Sequence, residues 1–203
     1  MSVVIIDYGM GNLRSVRRAF EECGASAAIT ESPADLNSAT HIVLPGVGAF
    51  PDGMANLLER GYSDALRKAA SENIPILGIC LGMQLLADVG YEVRRCEGLG
   101  LVSGQVKKLD QTPELRIPHV GWNEVSSFHG EQLFDQIPEL SDFYFVHSYH
   151  FVPESQDTVI STTSYGSTFV SAIRKNNTYG VQFHPEKSSK LGMTLLRNFL
   201  SLN

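Results

Sequence analysis

Ile74-Pro75-Ile76-Leu77-Gly78-Ile79-Cys80-Leu81-Gly82 carries a short apolar run straight into a cysteine with a glycine two residues to either side. The spacing glycine, any residue, nucleophile, any residue, glycine marks a sharp turn from strand to helix, here with sulfur where hydrolases of that design carry a hydroxyl. Such an elbow holds its nucleophile in a strained backbone conformation, and a Cβ at either glycine would collide with the sheet or the following helix. A helix starting at Leu81 would turn its first N–H groups and the positive end of its dipole toward the sulfur, which favours thiolate. Cys80 is therefore a candidate nucleophile. Cys23, at the end of a helical pattern, and Cys96, in a loop, lack such a setting and read as inert thiols.

Working outward from the elbow, the first half of the chain alternates short β-branched runs with amphipathic segments. Strands are expected at Ser2 to Ile6, Ala25 to Ile29, His41 to Leu44 and Ile74 to Ile79, and helices at Leu13 to Glu22, Tyr62 to Ser71 and Leu81 to Asp88. This rhythm predicts an α/β fold, an open and mainly parallel sheet covered by helices on both faces. Beyond Gly100 the runs Leu101 to Leu109, Asn123 to Ser126, Phe143 to His147, Thr158 to Thr163, Phe169 to Arg174 and Tyr179 to Phe183 are strand-like with short turns. They predict antiparallel additions that make the sheet mixed, closed by a helix over Met193 to Leu202. Chemistry in such sheets gathers at the carboxyl ends of the strands, where Tyr8 to Asn12, Pro45 to Gly48 and the elbow all lie.

A base for the thiol stands in Tyr179-Gly180-Val181-Gln182-Phe183-His184-Pro185-Glu186. His184 and Glu186 lie two residues apart at a strand end, where extended backbone points both the same way and Pro185 stiffens the link. The imidazole can take the thiol proton and hand it to a leaving amine, while Glu186 fixes its tautomer. Pro45-Gly46-Val47-Gly48 follows a strand and can aim backbone N–H groups at a developing oxyanion, with the N–H of Leu81 as the second donor. As a plain strand-to-helix turn the same loop would also be unexceptional. Asp7-Tyr8-Gly9-Met10-Gly11-Asn12 has Arg14 where a dinucleotide fingerprint needs its third glycine, so no cofactor is expected. His41, His129 and His150 have no spaced partner and read as surface or structural residues, whereas His119 and His147 sit in denser motifs and stay open. No histidine, cysteine or carboxylate spacing suits a metal.

The 203 residues carry a formal net charge of -6, with 43% hydrophobic and 19% charged residues, and read as one domain over 1–203. With no basic run, nucleic acid is not an expected partner. Three cysteines are too few for a disulfide framework. The apolar stretch Val3 to Ile6 is too short for a signal-peptide core or a membrane span, so no membrane partner and a cytoplasmic location are expected.

Gly78-Ile79-Cys80-Leu81-Gly82-Met83-Gln84-Leu85-Leu86 together with Gly180-Val181-Gln182-Phe183-His184-Pro185-Glu186 resembles the triad-type (class I) glutamine amidotransferases, whose fold is flavodoxin-like. Within that class the chain is similar to the glutaminase subunits of imidazole glycerol phosphate synthase. Asp7 to Leu13, Leu44 to Phe50, Pro118-His119-Val120-Gly121-Trp122-Asn123 and Phe143 to Tyr149 carry the narrower likeness. The resemblance implies hydrolysis of L-glutamine through a γ-glutamyl thioester on Cys80. The ammonia would pass to a separate (β/α)₈-barrel cyclase in a heterodimer that makes imidazole glycerol phosphate and an aminoimidazole carboxamide ribonucleotide for histidine biosynthesis. Carried over by position, Gly46, Gln84, Glu92, Ser148 and Tyr149 would hold glutamine, and Val47 and Leu81 would donate to the oxyanion once the Pro45 to Gly48 loop rearranges. Asn12, Trp122, Asn123, Tyr144 and Lys187 would lie at or near the partner interface. Ala87-Asp88-Val89-Gly90-Tyr91 departs from the acidic, serine-rich stretch usual before the residue matching Glu92.

Three other readings share the elbow: a paralogous glutaminase feeding surface-sugar amidotransfer, a scaffold with a dead site, and a cysteine peptidase or γ-glutamyl hydrolase that needs no partner. The complete set Cys80, His184 and Glu186 speaks against the scaffold.

Overall fold

The computed structural model describes residues 2–110, 115–128 and 130–202, so the expectation for His129 lies outside the described residues. In chain order the elements are β1 (Ser2–Ile6), α1 (Leu13–Glu22), β2 (Ser26–Thr30), β3 (His41–Gly46), α2 (Phe50–Glu59), α3 (Tyr62–Ser71), β4 (Ile76–Cys80), α4 (Leu81–Leu85), β5 (Val89–Gly90), β6 (Cys96–Glu97) and β7 (Gly104–Lys108). There follow β8 (His119–Ser127), β9 (Ser141–His147), β10 (Tyr149–Pro153), β11 (Val159–Tyr165), β12 (Ser167–Lys175), β13 (Thr178–Val181) and α5 (Ser189–Leu200).

One sheet has nine strands in the order β2-β1-β3-β4-β13-β12-β11-β8-β9. Its first five strands are mutually parallel, and the rest continue antiparallel from β13 outward. Consecutive apolar residues suit strands covered on both faces. Val3 and Ile5 enter the core shared with α1 and α5, while Val4 and Ile6 enter the core shared with α2 and α3. α1 buries Val16, Ala19 and Phe20. Arg17 and Arg18 pair on its outer side with Glu21 and Glu22 one turn on.

The elements depart from expectation in several places: β8 and α5 each begin four residues earlier than expected and β10 was not expected. Leu101 to Leu109 shrinks to β7, which leaves the main sheet and joins β10, β5 and β6 in a second sheet of order β10-β7-β5-β6. The helix expected to Asp88 stops at Leu85: the Leu86 and Ala87 N–H groups bond only three residues back, to Met83 O at 3.2 Å and Gln84 O at 3.0 Å, and the Asp88 N–H leaves the helix for Gly104 O at 3.0 Å. α2 was not expected, yet Pro51 stands in its first turn, where a missing N–H is harmless, and Phe50, Met54 and Leu57 form its buried face.

Candidate active site

β4 and α4 meet at Cys80, whose φ of 55° and ψ of -109° make the elbow a real backbone constraint. A Cβ on Gly82 would strike the Leu44 carbonyl, and one on Gly78 would come within 2.7 Å of the Gly82 and Met83 backbone, so both glycines serve close approach of β3, β4 and α4. The Cys80 side chain is buried, with Sγ 3.7 Å from the Val146 carbonyl. Gln182 donates from Nε2 to the same sulfur at 3.8 Å.

His184 follows β13, the strand paired with β4, and is itself buried. Its Nδ1 lies 2.8 Å from Glu186 Oε1, and both side chains are almost wholly buried. Glu186 occupies a 3₁₀ turn, Pro185–Lys187, so the pairing comes from that turn and not from the extended backbone expected. Ser188 braces it, donating to the His184 carbonyl at 2.6 Å and accepting from the Tyr144 N–H at 3.0 Å. Burial works against a charged imidazole here, but the Cys80 sulfur and the Glu186 carboxylate outweigh it and hold His184 up at about 9. Among the described residues His184 Nε2 has no hydrogen bond of ordinary geometry. Taken together, the sulfur acts on the ring through charge and proximity, and the formed bond is the one to Glu186. With the Nδ1 proton donated to that carboxylate, Nε2 is the position that gains and loses a proton.

A cavity of about 350 Å³ opens over the sulfur, lined by Val47, Gly48, Cys80, Leu81, Gln84, Glu92, Pro118, Val146, His147, Ser148 and Tyr149. The structure thus gathers Val47, Leu81, Gln84, Glu92, Ser148 and Tyr149 around Cys80. Gly46, the last residue of β3, pairs in register with Cys80. Glu92 is already engaged: its Oε2 accepts the Phe50 N–H at 2.7 Å, at the start of α2 and four residues past Gly46. Among the described residues no group of three His, Cys, Asp or Glu side chains could hold a metal ion.

The expected interface residues fall into two places. Trp122 is 52% exposed and Val120 56%. The Trp122 ring meets Tyr144 edge to face with centroids 6.0 Å apart, and Lys187 Nζ lies 5.8 Å from the Tyr144 centroid. Asn12 is exposed at the start of α1, in a turn that abuts the Pro45 to Gly48 loop through Gly11 and Met10. Asn123 turns its side chain into the molecule, donating to the Ser164 carbonyl at 2.9 Å and facing His119 Nε2 at 3.3 Å.

Of the lone histidines, His41 is satisfied by Thr40 Oγ1 and the Leu202 carbonyl, both at 3.1 Å. His150 is not, since its buried Nδ1 finds no partner among the described residues. Sequence reasoning missed Gln182, although it stands two residues before His184 on the same run, a spacing that could have flagged it.

A family model described as glutamine amidotransferase class-I matches residues 4–202. The chain belongs to the class-I glutamine amidotransferase family. This amidotransferase is 47% identical over 197 residues to the imidazole glycerol phosphate synthase subunit HisH of Moorella thermoacetica, covering 97% of this chain and 93% of that one. Subunit HisH 1 of Campylobacter jejuni is 46% identical over 201 residues, covering 98% and 100%. Among solved structures, PurLQS from Thermotoga maritima superposes with a TM-score of 0.78 at 18% identity over 98% of this chain and 97% of that one. A glutamine amidotransferase from the same organism gives 0.72 at 18% over 98% and 96%. These two likenesses bear out the fold expected from the sequence, as does the strand order β2-β1-β3-β4-β13, which is the flavodoxin-like 2-1-3-4-5 order.

Proposed function

We propose that this amidotransferase hydrolyses L-glutamine to glutamate and ammonia and delivers the ammonia to a (β/α)₈-barrel cyclase partner. The cyclase would use it to form imidazole glycerol phosphate and an aminoimidazole carboxamide ribonucleotide. The observation that carries the reading is a buried Cys80 at a strained elbow with the His184–Glu186 pair beside it, under a cavity of substrate size. Cys80 sulfur attacks the δ-carbonyl carbon of glutamine, forming a C–S bond and placing negative charge on oxygen. The Leu81 N–H, and the Val47 N–H after the loop rearranges, receive that charge. Collapse breaks the C–N bond as the His184 imidazolium gives its proton to the leaving nitrogen, releasing ammonia. Water then adds to the thioester carbon, His184 Nε2 takes its proton, and cleavage of the C–S bond returns the sulfur and glutamate. Gln84, Glu92, Ser148 and Tyr149 hold the substrate, with a Glu92 carboxylate oxygen available for the α-ammonium.

A docked partner has a chemical rationale, since ammonia in neutral water is mostly protonated and no longer nucleophilic, and a closed interface keeps it dry. The names of the relatives support a histidine-pathway acceptor over a surface-sugar one. The test compares glutamate release by this chain alone, by the chain with the cyclase and its ligand, and by the Cys80→Ala chain in the same complex. The expected outcome is slow release alone, a large rise in the complex and none with alanine. Equal rates with and without cyclase would overturn partner gating, and retained activity in the alanine variant would overturn the thioester.

A further inference from the structure

Two buried histidines take no part in the thioester chemistry. His119 on β8 and His147 at the end of β9 are partners in strand register. His147 Nδ1 stands 2.9 Å from the Tyr149 carbonyl, which can only accept, so Nδ1 carries the proton. Burial pushes His147 down to about 3 and His119 down to about 4, so both rings are neutral and His147 Nε2 is bare. That nitrogen lies 3.0 Å from His119 Nδ1, which must therefore donate. His119 Nε2 is then bare in turn and accepts from Asn123 Nδ2 at 3.3 Å. The Asn123 amide is oriented independently, by its bond to the Ser164 carbonyl and by the Glu124 N–H that its Oδ1 accepts at 2.9 Å. Every proton in the row is assigned without conflict.

The row continues to the nucleophile. The Tyr149 carbonyl accepts again, from Gln84 Nε2 at 2.8 Å, and the same nitrogen donates to Gln182 Oε1 at 3.0 Å. With its oxygen turned to Gln84, Gln182 can only present N–H to Cys80 Sγ. Both carboxamides are buried, so flipping either would set like groups face to face with no water to repair the loss.

We propose that His147, backed by His119 and Asn123, is a positioning residue for the nucleophile site: it fixes the Tyr149 carbonyl, which sets the Gln84 and Gln182 carboxamides toward the cavity and the Cys80 sulfur. The kinetic part of the proposal rests on the glutaminase reading above. The row begins at Asn123, next to exposed Trp122 on β8, and runs from there to the sulfur.

The test sets His147→Asn against His147→Gln in the cyclase complex. Asparagine places a donor where Nδ1 stood, whereas glutamine, nearer to imidazole in volume, places its amide toward His119. With asparagine, KM for glutamine should stay within about threefold of wild type; with glutamine it should rise about tenfold, the effect of one lost hydrogen bond, while kcat falls less. Equal KM values for the two variants, or a better value for glutamine, would reduce His147 to packing. Independently of activity, ¹⁵N spectra of the wild-type chain should show an N–H···N coupling between His119 Nδ1 and His147 Nε2 and two neutral rings at pH 6. A proton on His147 Nε2 would overturn the row. If the wild-type complex fails to hydrolyse glutamine, the glutaminase reading falls while the spectra still decide the orientation of the row.

Discussion

His184 is placed to be a proton donor before it is a base. Its affinity for a proton is raised, so the imidazolium persists below about pH 9 and is lost above it. In the proposed mechanism the leaving nitrogen needs that proton, so kcat for glutamine hydrolysis should fall as pH rises through about 9, measured in the complex with saturating glutamine. A kcat that climbs steadily past that point would show that His184 is neutral in the working enzyme. Tyr8 tests the neighbouring packing: its hydroxyl is buried without a partner among the described residues, and burial, with Cys80 nearby, pushes its pKa far upward. Removing an unsatisfied buried hydroxyl should stabilise, so Tyr8→Phe is expected to gain about 1 kcal/mol in urea unfolding. A loss of stability would mean that the hydroxyl has a partner in solution.

The elbow works as an element because β3, β4 and α4 approach more closely than any side chain allows at Gly82. Gly82→Ala must push α4 away from Leu44, and about 3 kcal/mol of lost stability with a matching fall in glutaminase rate is expected from thermal unfolding and turnover. An alanine variant as stable and active as wild type would show that β3 and α4 have slack. Such local constraints were legible in the sequence, since glycine spacing around Cys80 marks the elbow and the His184-Pro185-Glu186 run marks the pair, although the 3₁₀ turn that joins the pair was not read. The second sheet was not legible. β5 and β6 are two residues each, too short to carry a pattern, and β7 finds β10 and β5 only after the chain has folded back. The same limit hid Gln182. Its place two residues before His184 was visible, but its value lies in contacts with Gln84 and Cys80, 98 and 102 residues away. α4 ended early for a related reason, because the Asp88 N–H pairs with the distant Gly104 carbonyl in place of the helical bond that local propensity favours.

For the whole molecule, the carboxyl ends of β3, β4 and β13 place Gly46, Cys80 and His184 together, while the antiparallel half adds β8 and β9 with their exposed aromatic cluster. The fold therefore connects the buried Cys80 and an open surface through one continuous sheet. Trp122 is half exposed, and its ring has Tyr144 on one side, with Lys187 beyond it. A large aromatic left in water beside a second ring and a cation has the composition of an interface anchor. Truncating such an anchor typically costs about 2 kcal/mol or more in binding, so Trp122→Ala should weaken association with the proposed cyclase partner roughly thirtyfold by calorimetric titration. Because the ring contributes little to either buried core, thermal unfolding of the isolated chain should shift by no more than about 2 °C, in line with a surface change within about 0.5 kcal/mol. The two measurements separate the alternatives: unchanged affinity would move the partner to another face, and lost stability would make Trp122 part of the scaffold that holds β8 against β9.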